Sequence, residues 1–580
     1  MNDRFTEIAD RFLDELLQSS PVSATHLGDH RFDDQLDEVD SDSRDRKVAA
    51  ANALLGQLDS LQFEDLTRSN QVDFLLLQQQ LRKEIWLVES LREWEWNPLV
   101  YSGLPGDSLY LLLSREFAPL NERLASVAAR CLQFPRFFEQ ARESIVKKLV
   151  PPIHAETAVD QNRGILTLID SLVGPHLDEL PPDKKTQLEQ ALSVAREAID
   201  THQSWLENEL LPAAAGNPRL SDALFREKFS FSLFSSLTPE ELRSRAEMAK
   251  EEMTQRMYEL SLEISRQNDP YFIAEENPSA QSKNRLIQTC LELAYADAPK
   301  ADEVIEEAYR SLEITTDFVR EKDLVSLPDD PLEIIPMPEF RRGVSVAYCD
   351  APGPLEVRGK TFYAVSPPPE DWTEEQVNSF LREYNRRSLH NLTVHEAMPG
   401  HYVQLLRSNA TSTRLRSVLA SGTFIEGWAV YTEEMMVEQG FLLGDLLMRL
   451  IVLKWNLRGV TNAILDQMIH LDGIDEEAAM HLMVEEAFQE EREAAGKYRR
   501  ALLTSVQLST YFAGYQEVVD IRKATEEARG ENFELKRFHD ELMSFGSPPP
   551  AFVKALLLDE PIVSPRCIES GKPDSREKTG

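Results

Sequence analysis

Cysteine is scarce in this chain. Cys131, Cys290, Cys349 and Cys567 are its four cysteines, far apart and without a CxxC pair, which argues against a disulfide scaffold and a thiolate zinc site. A reducing compartment is expected. Long hydrophobic runs are missing too: no stretch approaches the roughly 20 uninterrupted apolar residues of a membrane span. The opening segment MNDRFTEIADRFLDELL is acidic and amphipathic, without the basic region and continuous apolar core of a secretory signal. A cytoplasmic protein with no membrane partner is expected. Positive charge is in deficit, 62 Lys+Arg against 99 Asp+Glu for a net charge of -37. Such a surface repels phosphate backbones, so nucleic acid is not an expected partner.

What is present is enough apolar sequence, 42% of residues, to bury a large core. Most of it recurs at helical spacing, as in FTEIADRFLDELL, QVDFLLLQQQLRKEIWLVESL and ERLASVAARCLQFPRFFEQARESIVKKL. The predicted fold is mainly α. Breaker clusters at NPLVYSGLPGDS, LVPPIH, LLPAAAGNPRLSD and LPDDPLEIIPMPEF read as loops between helices. Near residue 330 the helical pattern gives way to VSVAYC and KTFYAV, a small β element near 343–366. Three regions follow: a helical N-terminal half (1–330), a catalytic half (331–556), and a polar tail (557–580) expected to be disordered.

The informative segment is TVHEAMPGHYVQLL, where His395 and His401 bracket Glu396. In a plain HExxH motif the histidines are four apart and share a helix face, with the glutamate beside them as base. Here the gap is six, and at about 100° per residue an ideal helix would turn the second imidazole away from the first. Pro399 has no N–H and its ring clashes with the carbonyl of His395, while Gly400 tolerates unusual dihedrals. A bulge at Met398–Gly400 is therefore predicted to return His401 to the ion. Downstream, GTFIEGWAVYTEE places Glu426 on the apolar side of another helix, and zinc hydrolases commonly combine two histidines with one carboxylate. Glu433, two turns further on the same face, could orient a ligand imidazole. Taken singly, His395 could be a core histidine and Glu426 a buried ion-pair member.

With HEAMPGH (395–401) and EGWAVY (426–431), the chain resembles the metallopeptidase-like family of the domain of unknown function 885, itself remotely similar to helical gluzincin peptidases. The likeness extends to SPVSATHLGDHRFDDQL, WNPLVYSGLP, TFYAV, YFAGYQEVVDIR and FELKRFHDELMSFGSPPP, nearly the whole chain. It implies a large helical, zincin-like fold with two halves around a deep cleft, Zn²⁺ as cofactor held by His395, His401 and Glu426, Glu396 as base, and an edge strand that holds the peptide. Two departures stand out. Tyr402 replaces a second histidine that many members carry, and Ser505-Val506 stands where members often have Pro-Gly before the glutamine.

Tyr511 is the first candidate for an oxyanion donor, followed by His539 and Arg500, which suit a peptide carbonyl or a terminal carboxylate better. Tyr363 could flank the cleft if its strand lends backbone hydrogen bonds to an extended peptide. Asp466 and His470, four apart, read as a structural pair. The expected function is a zinc metallopeptidase acting on oligopeptides, carboxypeptidase-like in one version. The alternatives are a zinc hydrolase of a non-peptide amide or ester and a non-catalytic helical binding protein with a relic site.

Overall fold

The computed structural model describes residues 1–337, 346–356, 359–369, 372–411 and 413–565. Helices dominate it, and periodicity explains them. Asn2–Ser19 buries Phe5, Ile8, Ala9, Phe12, Leu13 and Leu17, one stripe at 3–4-residue spacing. Each large side chain there contributes about 1.5–3 kcal/mol of transfer free energy. The stretch ERLASVAARC…KKL is two helices, Leu120–Cys131 and Phe134–Ser144, because Pro135 can occupy only the first turn of a helix.

Two breaker clusters depart from the loop reading. The segment after Asn97 is helical from Leu99 to Leu113, with Pro105 inside. Burial of Tyr101, Leu109, Tyr110, Leu111 and Leu112 overrides its weak propensity. LPDDPLEIIP contains strand β1, Leu332–Pro336. It pairs in parallel with β3, Thr361–Val365, which pairs antiparallel with β2, Ala347–Asp350, giving the order β1-β3-β2. Residues 338–345, which carry the start of VSVAYC, lie outside the described residues.

The apolar interior divides into a large core from Phe225 to Val553, a second from Val22 to Leu210, and a third in which the first helices meet Phe234, Leu415, Phe552 and Ile562. Residue 330 is therefore not a packing boundary: the helices Pro239–Asn268, Ala280–Tyr295 and Val304–Lys322 share the core of the second half. The expected disordered tail is corrected in part. Ile562 is buried, and Arg68 donates to the carbonyl of Glu560, so the chain is held past the helix Pro550–Leu557. Residues 566–580 lie outside the described residues.

Candidate metal centre

The helix that carries His395, Arg386–Glu396, begins at Asn385, whose side chain accepts from the amides of Arg387 and Ser388. It stops at Ala397, where φ −127° and ψ −79° leave the helical region. The amides of Ala397 and Met398 both donate to Thr393 O, and that of Gly400 to Val394 O, so the chain folds back under the helix end. A Cβ on Gly400 would lie 1.9 Å from His395 O, so only glycine fits. The Met398–Pro399 peptide is cis. A second helix, His401–Thr411, starts at once. The predicted bulge is thus a complete break: the proline that cannot continue one helix leads into the next.

The break sets the two imidazole rings 4.7 Å apart, centroid to centroid, at 86°. Glu426 reaches them from the helix Gly422–Glu438, with Oε2 3.5 Å from His395 Nε2 and 3.7 Å from His401 Nε2. Trp428 of this helix donates through Nε1 to Pro399 O at 3.0 Å, tying it to the turn. One donor atom from each of His395, His401 and Glu426 falls within 4.8 Å of the others. Zinc bonds of about 2.0–2.1 Å in tetrahedral array separate ligand atoms by roughly 3.3 Å, so the two measured separations suit one ion. Glu426 Oε2 is buried without a hydrogen-bond partner among the described residues. The donor set fits zinc.

Behind His395, Nδ1 lies 2.7 Å from Glu433 Oε1, and Asn391 donates to the other oxygen of Glu433 at 2.6 Å. This chain fixes the tautomer that leaves Nε2 facing Glu426. Burial opposes charge on His395, yet its contacts with Glu426 and Glu433 raise its pKa well above the ordinary value. Burial and the charge of His395 pull His401 down to about 4. Burial pushes Glu396 up to about 7, with His395 opposing and Glu426 reinforcing. The backbone amide of Cys349 in β2 also bonds the Glu396 carboxyl, so this edge strand borders the site.

A third long helix, Ser509–Arg529, completes the surroundings. A Cβ on Gly514 would lie 1.9 Å from Thr423 O, and one on Gly427 2.4 Å from Gly514 C. The two helices therefore cross backbone to backbone, with Gly514 as a mid-helix contact. The crossing brings Tyr511 close enough to Glu426 for the carboxylate, after burial, to help raise the phenol pKa. Arg500 Nη2 and Gln507 Nε2 approach Tyr511 Oη at 3.4 and 3.2 Å. Two donors on the phenol oxygen leave its own proton free for a third group. The strain lies just before it: Val506 has φ +69°, a conformation that β-branched residues avoid. Asp466 holds this loop by accepting from Val506 N and Ser509 Oγ. His470 donates instead to Thr504 O or Ala501 O, so these two residues brace one loop without bonding each other.

Two candidates are corrected. Tyr363 is fully buried in the central strand, and its hydroxyl meets Thr393 Oγ1 at 3.3 Å. With β1 and β2 on either side, β3 has no free edge to offer a peptide. His539 is fully buried, its Nδ1 donating to Leu324 O and its Nε2 accepting from Tyr431 at 2.8 Å each, and burial pulls its pKa to about 4. It supports the EGWAVY helix from behind. Sequence reasoning missed Asn391 and Gln507 as site residues, although each stands one helical turn before a candidate, His395 and Tyr511.

Fold and cluster define a class: mainly α-helical proteins in which a broken helix and a crossing pair of helices gather two histidines and a glutamate. Within it, the chain belongs to the family described as bacterial protein of unknown function (DUF885), whose model matches residues 21–557. It is similar to the solved structure of a "putative lipoprotein of unknown function" from Shewanella oneidensis, at 32% identity and TM-score 0.79, over 96% of this chain and 99% of that one. A "putative lipoprotein" from Colwellia psychrerythraea superimposes with TM-score 0.79 over the same shares at 15% identity, a likeness of fold. No curated protein matches.

Proposed function

We propose that this protein is a zinc-dependent peptidase acting on oligopeptides. One observation carries the reading: His395, His401 and Glu426 converge at zinc-like separations, with Glu396 buried beside them as a carboxylate outside the ligand set. Zinc, when bound, would polarise the scissile carbonyl and favour a hydroxide nucleophile at neutral pH. Glu396 takes a proton from the attacking water and passes it to the leaving nitrogen. Tyr511, its oxygen already occupied by Arg500 and Gln507, donates its proton to the developing oxyanion. Glu433 and Asn391 keep His395 in one orientation throughout.

A peptide is favoured over a small amide because β2 is an edge strand whose Cys349 amide borders Glu396, and an edge strand can add an extended chain. Glu396→Gln tests the reading. The variant should keep about one zinc per chain and lose at least about 10³-fold in peptide hydrolysis, since it removes the base but no ligand. Hydrolysis at the wild-type rate would overturn it.

Among the described residues no helix is long and apolar enough to cross a membrane. Cysteine usage favours the cytoplasm, while the description of two relatives as lipoproteins points to the cell envelope. Cell fractionation decides between them.

A further inference from the structure

Arg500 stands beside the proposed metal centre with donors to spare. It belongs to the helix Glu491–Leu503. Its Nη2 reaches Gln507 Oε1 at 2.8 Å and Tyr511 Oη at 3.4 Å, and Gln507 Nε2 reaches the same phenol oxygen at 3.2 Å. The Nε and Nη1 atoms of Arg500 bond nothing among the described residues, and neither is sealed from solvent. No carboxylate among the described residues pairs with it, although the chain carries 99 Asp+Glu against 62 Lys+Arg. A guanidinium kept free of carboxylates in so acidic a protein points to an anion that arrives from outside.

The neighbours on the helix explain how it is kept free. Glu493, Lys497 and Arg500 follow at i, i+4 and i+7 on one face. Glu493 is taken by Arg458 of the helix Leu446–Gln467. Lys497 is buried and donates to the neutral Gln489 at 2.7 Å. Burial, and after it Arg458, hold the Lys497 pKa well below the ordinary value, and Arg500 adds to the effect. Positive charge is therefore left uncompensated at the Arg500 end of this row, where Glu426 and Tyr511 both feel it.

Spacing indicates which anion fits. On the peptidase reading, Tyr511 donates to the oxyanion formed on the scissile carbonyl, and Arg500 Nη2 lies 3.4 Å from the Tyr511 oxygen. Successive residues of an extended peptide advance about 3.3 Å. A group held by Arg500 thus belongs to the residue directly after the cleaved bond.

We propose that Arg500 binds the terminal carboxylate of the peptide, so that the enzyme removes single residues from the carboxyl end. The proposal rests on the peptidase reading. Water adds across the last peptide bond, its hydroxyl to the carbonyl carbon and its proton to the leaving amine, and one amino acid is released. The carboxylate takes the donors that Gln507 and Tyr511 leave free, so one side chain links the end of the substrate to the proton donor. A peptide without a carboxylate at that point leaves the guanidinium desolvated and unpaired.

The test uses the zinc-loaded full chain and one peptide sequence in three forms: free at both ends, amidated at the carboxyl end, and acetylated at the amino end. Mass spectrometry should show the free peptide losing one residue at a time from its carboxyl end. Amidation should lower kcat/KM about ten-fold or more, and acetylation should leave it unchanged. In Arg500→Gln the ratio of free to amidated peptide should collapse towards one. That ratio separates carboxylate binding from the support that Arg500 gives Tyr511, whose loss slows both peptides alike. Equal rates for the two in wild type, internal cleavage of the free peptide, a fall on acetylation in place of amidation, or a preference that survives in Arg500→Gln would overturn the proposal. If the wild type cleaves no form, the peptidase reading fails on its own. In that case, or if Arg500→Gln cleaves nothing, calorimetry with N-acetyl-leucine and N-acetyl-leucinamide decides the role of Arg500. The acid should bind wild type about ten-fold or more tightly than the amide and lose that margin in Arg500→Gln at equal zinc content. An acid that binds no better than the amide, or keeps its margin in the variant, overturns the site.

Discussion

The second and largest cores both keep buried histidines neutral but hold buried cations differently. Between Val22 and Leu210, burial keeps histidines neutral: His202, stacked 4.4 Å from Phe138, is pulled to about 3, and His154, 5.7 Å from Trp96, to about 4. Buried Arg130 donates to the carbonyls of Gln35 and Ser108 and to Thr25 Oγ1. The larger core instead sets a buried cation directly against a carboxylate and a phenol across helices. Lys454 bonds Glu383 at 2.7 Å and Tyr295 at 2.9 Å, all three buried, and the His395–Glu433 pair lies in the same core. Charge in a low-dielectric interior is worth its desolvation only when it is held by several partners or performs chemistry. On the proposed reading, the larger core carries the chemistry and the other supports it.

That contrast can be broken at several points. The largest effect is expected from Glu426→Ala, which removes a proposed ligand: zinc measured by mass spectrometry should fall well below one per chain, and hydrolysis by more than about 10³-fold. Lys454→Met leaves Glu383 without its closest cation and should cost about 3–5 kcal/mol, read from the urea midpoint, while Lys454→Met/Glu383→Leu recovers most of it. If the single variant were as stable as wild type, buried charge would not be what distinguishes the two cores. Tyr511→Phe should lower kcat about 10²-fold with zinc content unchanged.

The smallest effect concerns acid. A histidine pulled down to about 3 in the fold but titrating near 6.5 when unfolded binds its proton preferentially in the unfolded chain. Its neutrality is therefore without cost above pH 6.5, and stability falls as pH drops from there towards 3. At pH 5 the penalty from His202 is about 2 kcal/mol. His202→Phe should flatten the acid side of the stability profile and leave zinc content and hydrolysis unchanged at pH 7. An unchanged acid slope would mean that this core does not gain from excluding charge.

Legibility in the sequence followed how local each cause was. His395, Glu396 and His401 lie within seven residues, and the proline and glycine between them signal a broken helix, though not that it would end outright. Glu426 and Glu433 were legible because a carboxylate on an apolar helix face requires a partner. Strand β1 was hidden, since Leu332–Pro336 is flanked by prolines and becomes a strand only through pairing with β3, about 25 residues on. Tyr363 and His539 were misplaced for a related reason: the polar atom of an aromatic side chain does not reveal whether it faces a ligand or another buried residue. Gln507 acquires its role only when the Ser509–Arg529 helix crosses the Glu426 helix, a contact with no local signature.

The crossing at Gly427 and Gly514 also sets an order of events during synthesis. The three proposed ligands are all made by residue 426, whereas Tyr511 belongs to a helix whose contact glycine comes 87 residues (514 − 427) after its counterpart. Closing a loop of that length is slow compared with forming the turn between His395 and His401. On the proposed reading, the metal ligands are therefore synthesised well before the proton donor. On the proposed reading, the unfinished protein is hydrolytically silent while neighbouring nascent peptides are most exposed, and competence arrives only when the late helix docks.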